Sequence, residues 1–246
     1  MRSNKKKILF IVEGEEAEVS FIGSIGHILL TLNNAEYEIF PFKTSIYELY
    51  DGYMRGEYDY IIDYLVSEKG LNIPDDLTPK ESYSAIYLIF DFDFKYHKYT
   101  DEIVKDLLAV FDNETENGKL YINYPMFESY FHLENLPDYS YINKTIDTNQ
   151  CLSKPYKLLV NRVTCIKKSR RIDTRTCYEI IKHNYDKALH ICGLNPNSIS
   201  EVDYNKILEI QIDKKNNEYC IYVLNTLVLF IIDYNPELLK VIKNIV

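Results

Sequence analysis

Ile8-Leu9-Phe10-Ile11-Val12 running into Glu13-Gly14, and Ile86-Tyr87-Leu88-Ile89-Phe90 running into Asp91-Phe92-Asp93, are the two stretches whose reading decides the fold. Each is an unbroken apolar run of strand length that stops on carboxylates. Runs without polar alternation suit strands buried on both faces of a parallel sheet. In such a sheet the ligand site lies beyond the carboxyl ends of the strands. If the two strands are neighbours, Glu13, Asp91 and Asp93 converge on one edge. Three carboxylates with no Cys or His beside them are the ligand set of a hard cation, Mg²⁺ above all, with Mn²⁺ as a substitute.

Working outward, Glu15 to Leu32 has the spacing of a helix with acidic residues in its first turn. Glu36 to Phe42 reads as a second strand, Tyr47 to Val66 as a helix, and Gly70 to Ser82 as a surface loop. A helix over Asp101 to Phe111, a turn at Asn113 to Gly118 and a strand over Leu120 to Tyr124 follow the second carboxylate junction. Strands alternating with helices predict a right-handed parallel α/β core. After Glu134 no such junction recurs. Cys177 to Cys192 and Tyr219 to Ile232 both have helical spacing. The expected organisation is therefore an α/β core over residues 1–135 and a mainly helical region over 136–246 packed on it.

With 246 residues the chain is long enough to bury a sizeable core. Its net charge of -9 argues against a protein that coats nucleic acid indiscriminately, yet leaves room for a nuclease with a local basic surface. The five Cys are scattered and form no CxxC pair, which fits a reducing cytoplasm better than disulfides or a zinc site. The apolar run after Lys5-Lys6-Lys7 breaks at Glu13, too early for a signal peptide. Cys220 to Ile232 falls short of the ~20 residues that span a bilayer. The expectation is a soluble cytoplasmic protein, homo-oligomeric or not.

One basic stretch stands out: Lys157, Arg162, Lys167, Lys168, Arg170, Arg171 and Arg175. It is either a track for phosphates or a solvated helix face. Lys95, His97 and Lys98 follow the second junction directly and are placed to meet a scissile phosphate. His132 and His183 have no visible metal-ligand partner and read as structural.

These residues carry a resemblance to the TOPRIM domain, whose signature is a Glu after the first strand and a DxD after a later one. The matching segments are Ile11-Val12-Glu13-Gly14 and Phe90-Asp91-Phe92-Asp93. Asn123-Tyr124-Pro125-Met126-Phe127-Glu128 is similar to the "NPxFE" stretch of RloB-like TOPRIM proteins from bacterial anti-phage (abortive infection) systems. The Glu13 to Ile22 segment likewise resembles their "EGxxTExxF" opening, and Val223-Leu224-Asn225-Thr226 is similar to segments near their ends. The likeness covers roughly residues 7–135. It implies a TOPRIM-like sheet, a Mg²⁺-dependent nuclease acting on DNA or structured RNA such as tRNA, and an ATPase partner encoded nearby. No Walker A sequence occurs in this chain, so ATP hydrolysis would belong to that partner.

On the same basis Glu13 is the expected general acid or base or a metal ligand, and Asp91 and Asp93 the expected holders of Mg²⁺. Glu18 is either a further site carboxylate or a solvent-facing helix residue. Glu128 is either a further metal ligand or the cap of a helix after Pro125. Bulky Phe92 and Phe94 depart from the smaller residues that often flank the DxD, implying a more closed site. The alternative function is a non-catalytic TOPRIM-like module that binds a protein or a nucleotide. A topoisomerase or primase fragment is disfavoured, because no companion strand-passage or DNA-binding domain is visible.

Overall fold

A computed structural model of the chain describes residues 7–33, 36–56, 58–74, 77–151, 153–166 and 172–243. It is an α/β fold with a mostly parallel five-stranded sheet and a mainly helical C-terminal region. The chain divides into two compact units. One takes in the chain up to Phe90 together with Tyr96–Tyr121; the other takes in Asp91–Lys95 and the chain from Ile122 on. The DxD turn and the 123–128 segment thus group with the C-terminal region. No helix among the described residues is long and apolar enough to cross a membrane.

In the first unit, β1 (Lys7–Val12) pairs in parallel with β2 (Glu36–Pro41) on one side and β3 (Ala85–Asp91) on the other. This interior position explains the unbroken apolar run: Leu9, Phe10, Ile11 and Val12 are fully buried. Helix α1 (Ala17–Asn33) crosses between β1 and β2 and buries Phe21, Ile22 and Ile25.

The expected helix over 47–66 is instead broken. It divides into α2 (Ile46–Leu49), a π-turn over Tyr50–Met54 and α3 (Ile61–Lys69). Two local features account for the break. A Cβ on Gly52 would lie 2.2 Å from the Tyr64 hydroxyl, so the chain approaches Tyr64 only because residue 52 has no side chain. At the new start, the Ile61 N–H is met by Asn117 Oδ1 at 2.9 Å, an acceptor supplied from far along the chain.

The loop before β3 contains one short turn, α4 (Pro79–Ser82), closed by a Thr78–Glu81 capping box. Helix α5 (Asp101–Val110) starts where expected, its first turn capped by the Thr100 hydroxyl. The expected turn at 113–118 joins a two-residue edge strand, β4 (Asp112–Asn113), antiparallel to β5 (Gly118–Asn123). Gly118 has φ +107 and packs where a Cβ would meet Leu88 at 2.4 Å. Only glycine satisfies both demands. The sheet order is β2-β1-β3-β5-β4.

The second unit is not helical throughout. β6 (Thr145–Asp147) and β7 (Cys220–Tyr222) form a small antiparallel sheet, and Tyr124 makes an isolated bridge with Leu224. The expected helix over 219–232 is thus corrected: Cys220–Tyr222 is a strand, Leu227–Leu229 is a 3₁₀ turn, and regular helix begins only afterwards. The helices are α6 (Ser153–Val163), α7 (Thr174–Ile191), α8 (Tyr204–Asn217), α9 (Phe230–Tyr234) and α10 (Glu237–Lys243). Helices α7 and α8 start on Asp173 and Asp203, whose carboxylates accept the Thr176 and Lys206 N–H groups.

A polar core runs through this unit. The fully buried Lys187 donates to the carbonyls of Tyr141 and Lys144, and burial holds its pKa well below that of an ordinary lysine. Both ring nitrogens of His183 are engaged within the protein. Its Nε2 accepts the Asp138 N–H at 2.7 Å while Nδ1 faces the Glu179 carbonyl at 2.7 Å.

Candidate functional site

In the first unit Glu13 follows β1 and is half-buried. Its N–H donates to the Ile89 carbonyl at 3.2 Å, and its carbonyl accepts the Lys43 N–H at 3.0 Å. Glu13 is thereby fixed at the carboxyl edge of the β2-β1-β3 sheet. Glu18 does not face solvent: it is buried, and its carboxylate lies over Gly14, where a Cβ would come within 2.6 Å of Oε2. His97 is exposed, its ring beside that of Tyr96 with centroids 4.5 Å apart. Lys98 is committed elsewhere, bridging Glu48 and Asp51 at 2.8 Å each.

In the second unit Asp91 ends β3, and its Oδ1 accepts the Phe127 N–H at 2.7 Å. The next residue is Glu128, in a 3₁₀ turn over Phe127–Phe131. A strand-end carboxylate and the 127–128 pair, 36 residues apart in the chain, are thus joined by one hydrogen bond. The connection is reinforced at Phe92, whose N–H donates to the Asn123 carbonyl at 2.9 Å and whose ring packs 5.1 Å from Tyr124. The bulky Phe92 therefore points into the packing and is buried. The Tyr124–Pro125 peptide between them is cis.

Asp93 and Lys95 are both exposed. Crowding by the surrounding protein raises the Asp93 pKa above the ordinary carboxylate value, and the Lys95 N–H partly offsets this. Burial pushes the Cys151 thiol up to about 12, and the charge of Lys95 opposes this. Cys151 is therefore an inert thiol.

Glu128 is 5% exposed. Its Oε1 meets Lys157 Nζ at 3.0 Å, while its Oε2 is buried with no hydrogen-bond partner among the described residues. Asn123 Nδ2 is in the same condition. An unsatisfied buried carboxylate oxygen such as Glu128 Oε2 is rare in folded proteins and calls for an explanation such as a bound cation, whereas the Asn123 amide nitrogen is a donor and does not bear on one.

The donor set here, carboxylate oxygen throughout, fits a hard divalent cation in kind, and the orphaned Glu128 Oε2 fits it in state. Even so, among the described residues no three Asp, Glu, His or Cys side chains gather closely enough to hold a metal as they stand. Asp91 is turned to the Phe127 N–H and Glu128 to Lys157, so a cation would have to compete with internal donors.

Of the basic stretch, Lys157 lies on α6 and pairs with Glu128, while Arg162 and Arg175 are exposed. Lys167, Lys168, Arg170 and Arg171 lie outside the described residues. Two residues gain a part that composition and spacing did not assign. Tyr156, fully buried, places its hydroxyl 3.1 Å from His132 Nδ1 and feels the charges of Glu128 and Asp91. Asn225 is fully buried and ties Phe127 and Ser129 to the chain at 225–228. Its only sequence signal was the resemblance of the Val223 to Thr226 segment. Compared with protein-family models, curated proteins and solved structures, the chain matches none.

Proposed function

We propose that the chain is a Mg²⁺-dependent nuclease of TOPRIM type that cleaves phosphodiester bonds in DNA or structured RNA, tRNA included. On this reading it acts in the cytoplasm in bacterial anti-phage defence, under the control of an ATPase partner. The observation that carries the proposal is the junction of Asp91 with the 127–128 pair, where Glu128 buries an oxygen that no group among the described residues satisfies.

Asp91, Asp93 and Glu128 are the residues that would hold Mg²⁺, with Mn²⁺ as substitute. The chemistry a bound Mg²⁺ supplies is neutralisation of phosphate charge, activation of water and stabilisation of the leaving oxygen. Lys95, exposed two residues beyond Asp93, is available to the phosphate. Partial removal from water raises the Asp93 pKa, and a bound cation would offset that cost. Glu13 keeps the role of general acid or base that the resemblance implies.

A second reading has its own support. Asp91 and Glu128 are already engaged by internal donors, which suits a non-catalytic module binding a protein or nucleotide. Incubation of the purified protein with mixed DNA and RNA, with and without Mg²⁺ or Mn²⁺, separates the two. The nuclease reading expects cation-dependent cleavage that Glu13→Gln and Asp91→Asn each abolish. Intact nucleic acid under every condition, with an ATPase partner added, overturns it.

A further inference from the structure

We infer that Lys157 is the built-in counter-ion of this centre: it holds the place of a divalent cation on Glu128 and, once displaced, contacts a phosphodiester of the substrate. The inference rests on the proposed cation site and adds to it the step by which the site is loaded.

The two ends of the ion pair are unlike. Glu128 is buried and cannot turn to water, so its charge needs a partner inside the protein. Lys157 has a side chain that is 47% exposed, on the first half of α6, with a flexible stem that can carry its ammonium out to water once a cation has taken its place on Glu128. The ammonium meets Oε1 at 3.0 Å, and Oε2 has no hydrogen bond among the described residues. A permanent structural salt bridge would be expected to satisfy both oxygens of so deeply buried a carboxylate. A single ammonium on one oxygen is a replaceable occupant. A divalent cation brings twice the charge and several coordination positions, and so satisfies both oxygens together.

Displacement frees a cation next to the place where the substrate's phosphate must lie. The ammonium that balances Glu128 in the cation-free protein then balances the phosphodiester in the loaded one. The basic residue that the sequence placed in a phosphate track is thus a contact at the centre itself.

Opposite signs test this. Titration of the full-length protein with Mn²⁺, followed by loss of the free-ion electron paramagnetic signal, should show Lys157→Met binding roughly fivefold more tightly than the wild type. That is the effect of removing a half-exposed competing charge. In Ca²⁺, to prevent cleavage, the same variant should bind a short single-stranded oligonucleotide several-fold more weakly. Lys154→Met, which removes an exposed charge one turn away on the same helix, should change neither. A merely structural Lys157 predicts no gain in Mn²⁺ affinity. If Glu128→Gln and Asp91→Asn weaken Mn²⁺ binding but Lys157→Met does not strengthen it, or strengthens it without weakening the oligonucleotide, the counter-ion role is overturned and the cation site stands. If no version, Lys157→Met included, binds Mn²⁺ saturably, both fall together.

Discussion

Replacing Asn225 by Ala asks whether one buried amide holds the segment that carries Glu128. Asn225 is fully buried. Its Nδ2 donates to the Phe127 carbonyl at 2.9 Å and to Ser129 Oγ at 3.2 Å, and its Oδ1 accepts the Val228 N–H at 3.2 Å. Truncation removes all three bonds. It leaves the backbone N–H of Asn225 on Asn184 Oδ1, so that bond does not enter the difference. A hydrogen bond of this kind contributes about 1 kcal/mol net, and a partner stranded in the interior costs about 1–3 kcal/mol. Because two of the bonds are long, and the Ser129 hydroxyl can rotate to another acceptor, a loss of about 4 kcal/mol is expected. Domains are stable by only about 5–15 kcal/mol, so this is a large fraction of the whole. Urea unfolding followed by far-ultraviolet circular dichroism measures it. With a slope of roughly 2.5 kcal/mol per molar urea, the midpoint should fall by about 1.5 M. A shift below about 0.3 M at unchanged slope would refute the reasoning. The 3₁₀ turn would then be held by its packing, and Asn225 would be a passenger.

Other consequences follow from the same region. Burial holds the His132 pKa down at about 4, from 6.5 in the unfolded chain, so the folded protein binds fewer protons between those values. Its contribution is fully present above about pH 6.5 and is lost as pH falls towards 4, by up to roughly 3 kcal/mol. His132→Gln should flatten the fall in thermal midpoint across that window relative to the wild type. Parallel curves for the two proteins would show that His132 is not the group responsible. Asp91→Asn keeps an oxygen for the Phe127 N–H and should change stability by less than about 1 kcal/mol while weakening Mn²⁺ binding. Severe destabilisation on thermal melting would make Asp91 a structural residue. Reversal of Lys167, Lys168, Arg170 and Arg171 to Glu should flatten the salt dependence of oligonucleotide binding by roughly one unit of slope for each phosphate that is no longer neutralised. An unchanged slope would leave that stretch to a protein partner.

The sequence by itself determined the sheet and its carboxyl edge. An unbroken apolar run such as Leu9 to Val12 has no solvent-compatible face, so it must lie between neighbours on both sides. A carboxylate directly after it must lie at the edge, because a charge is not left unpaired in the core. The start of α5 was legible for a similar reason, since a Thr cap acts within four residues, inside the range that local sequence controls, whereas α7 begins three residues before the expected Cys177, on its Asp173 cap.

Elsewhere apolar content was legible but conformation was not. Cys220 to Ile232 is largely buried, as its composition demands, yet its first residues are extended, because β6 and Tyr124 offer backbone partners from remote parts of the chain. Periodicity cannot register a partner at that distance. The break at Gly52 likewise depends on where the Tyr64 ring lies. Within the candidate site, the sequence could name Asp91, Glu128 and Lys157 but not which charge faces which. The pairing of Glu128 with Lys157, the Asp91 bond to the Phe127 N–H and the clamp at Asn225 join segments remote in the chain. Only folding brings them together, and burial of Glu128 is what turns an ordinary ion pair into a site with an oxygen left over.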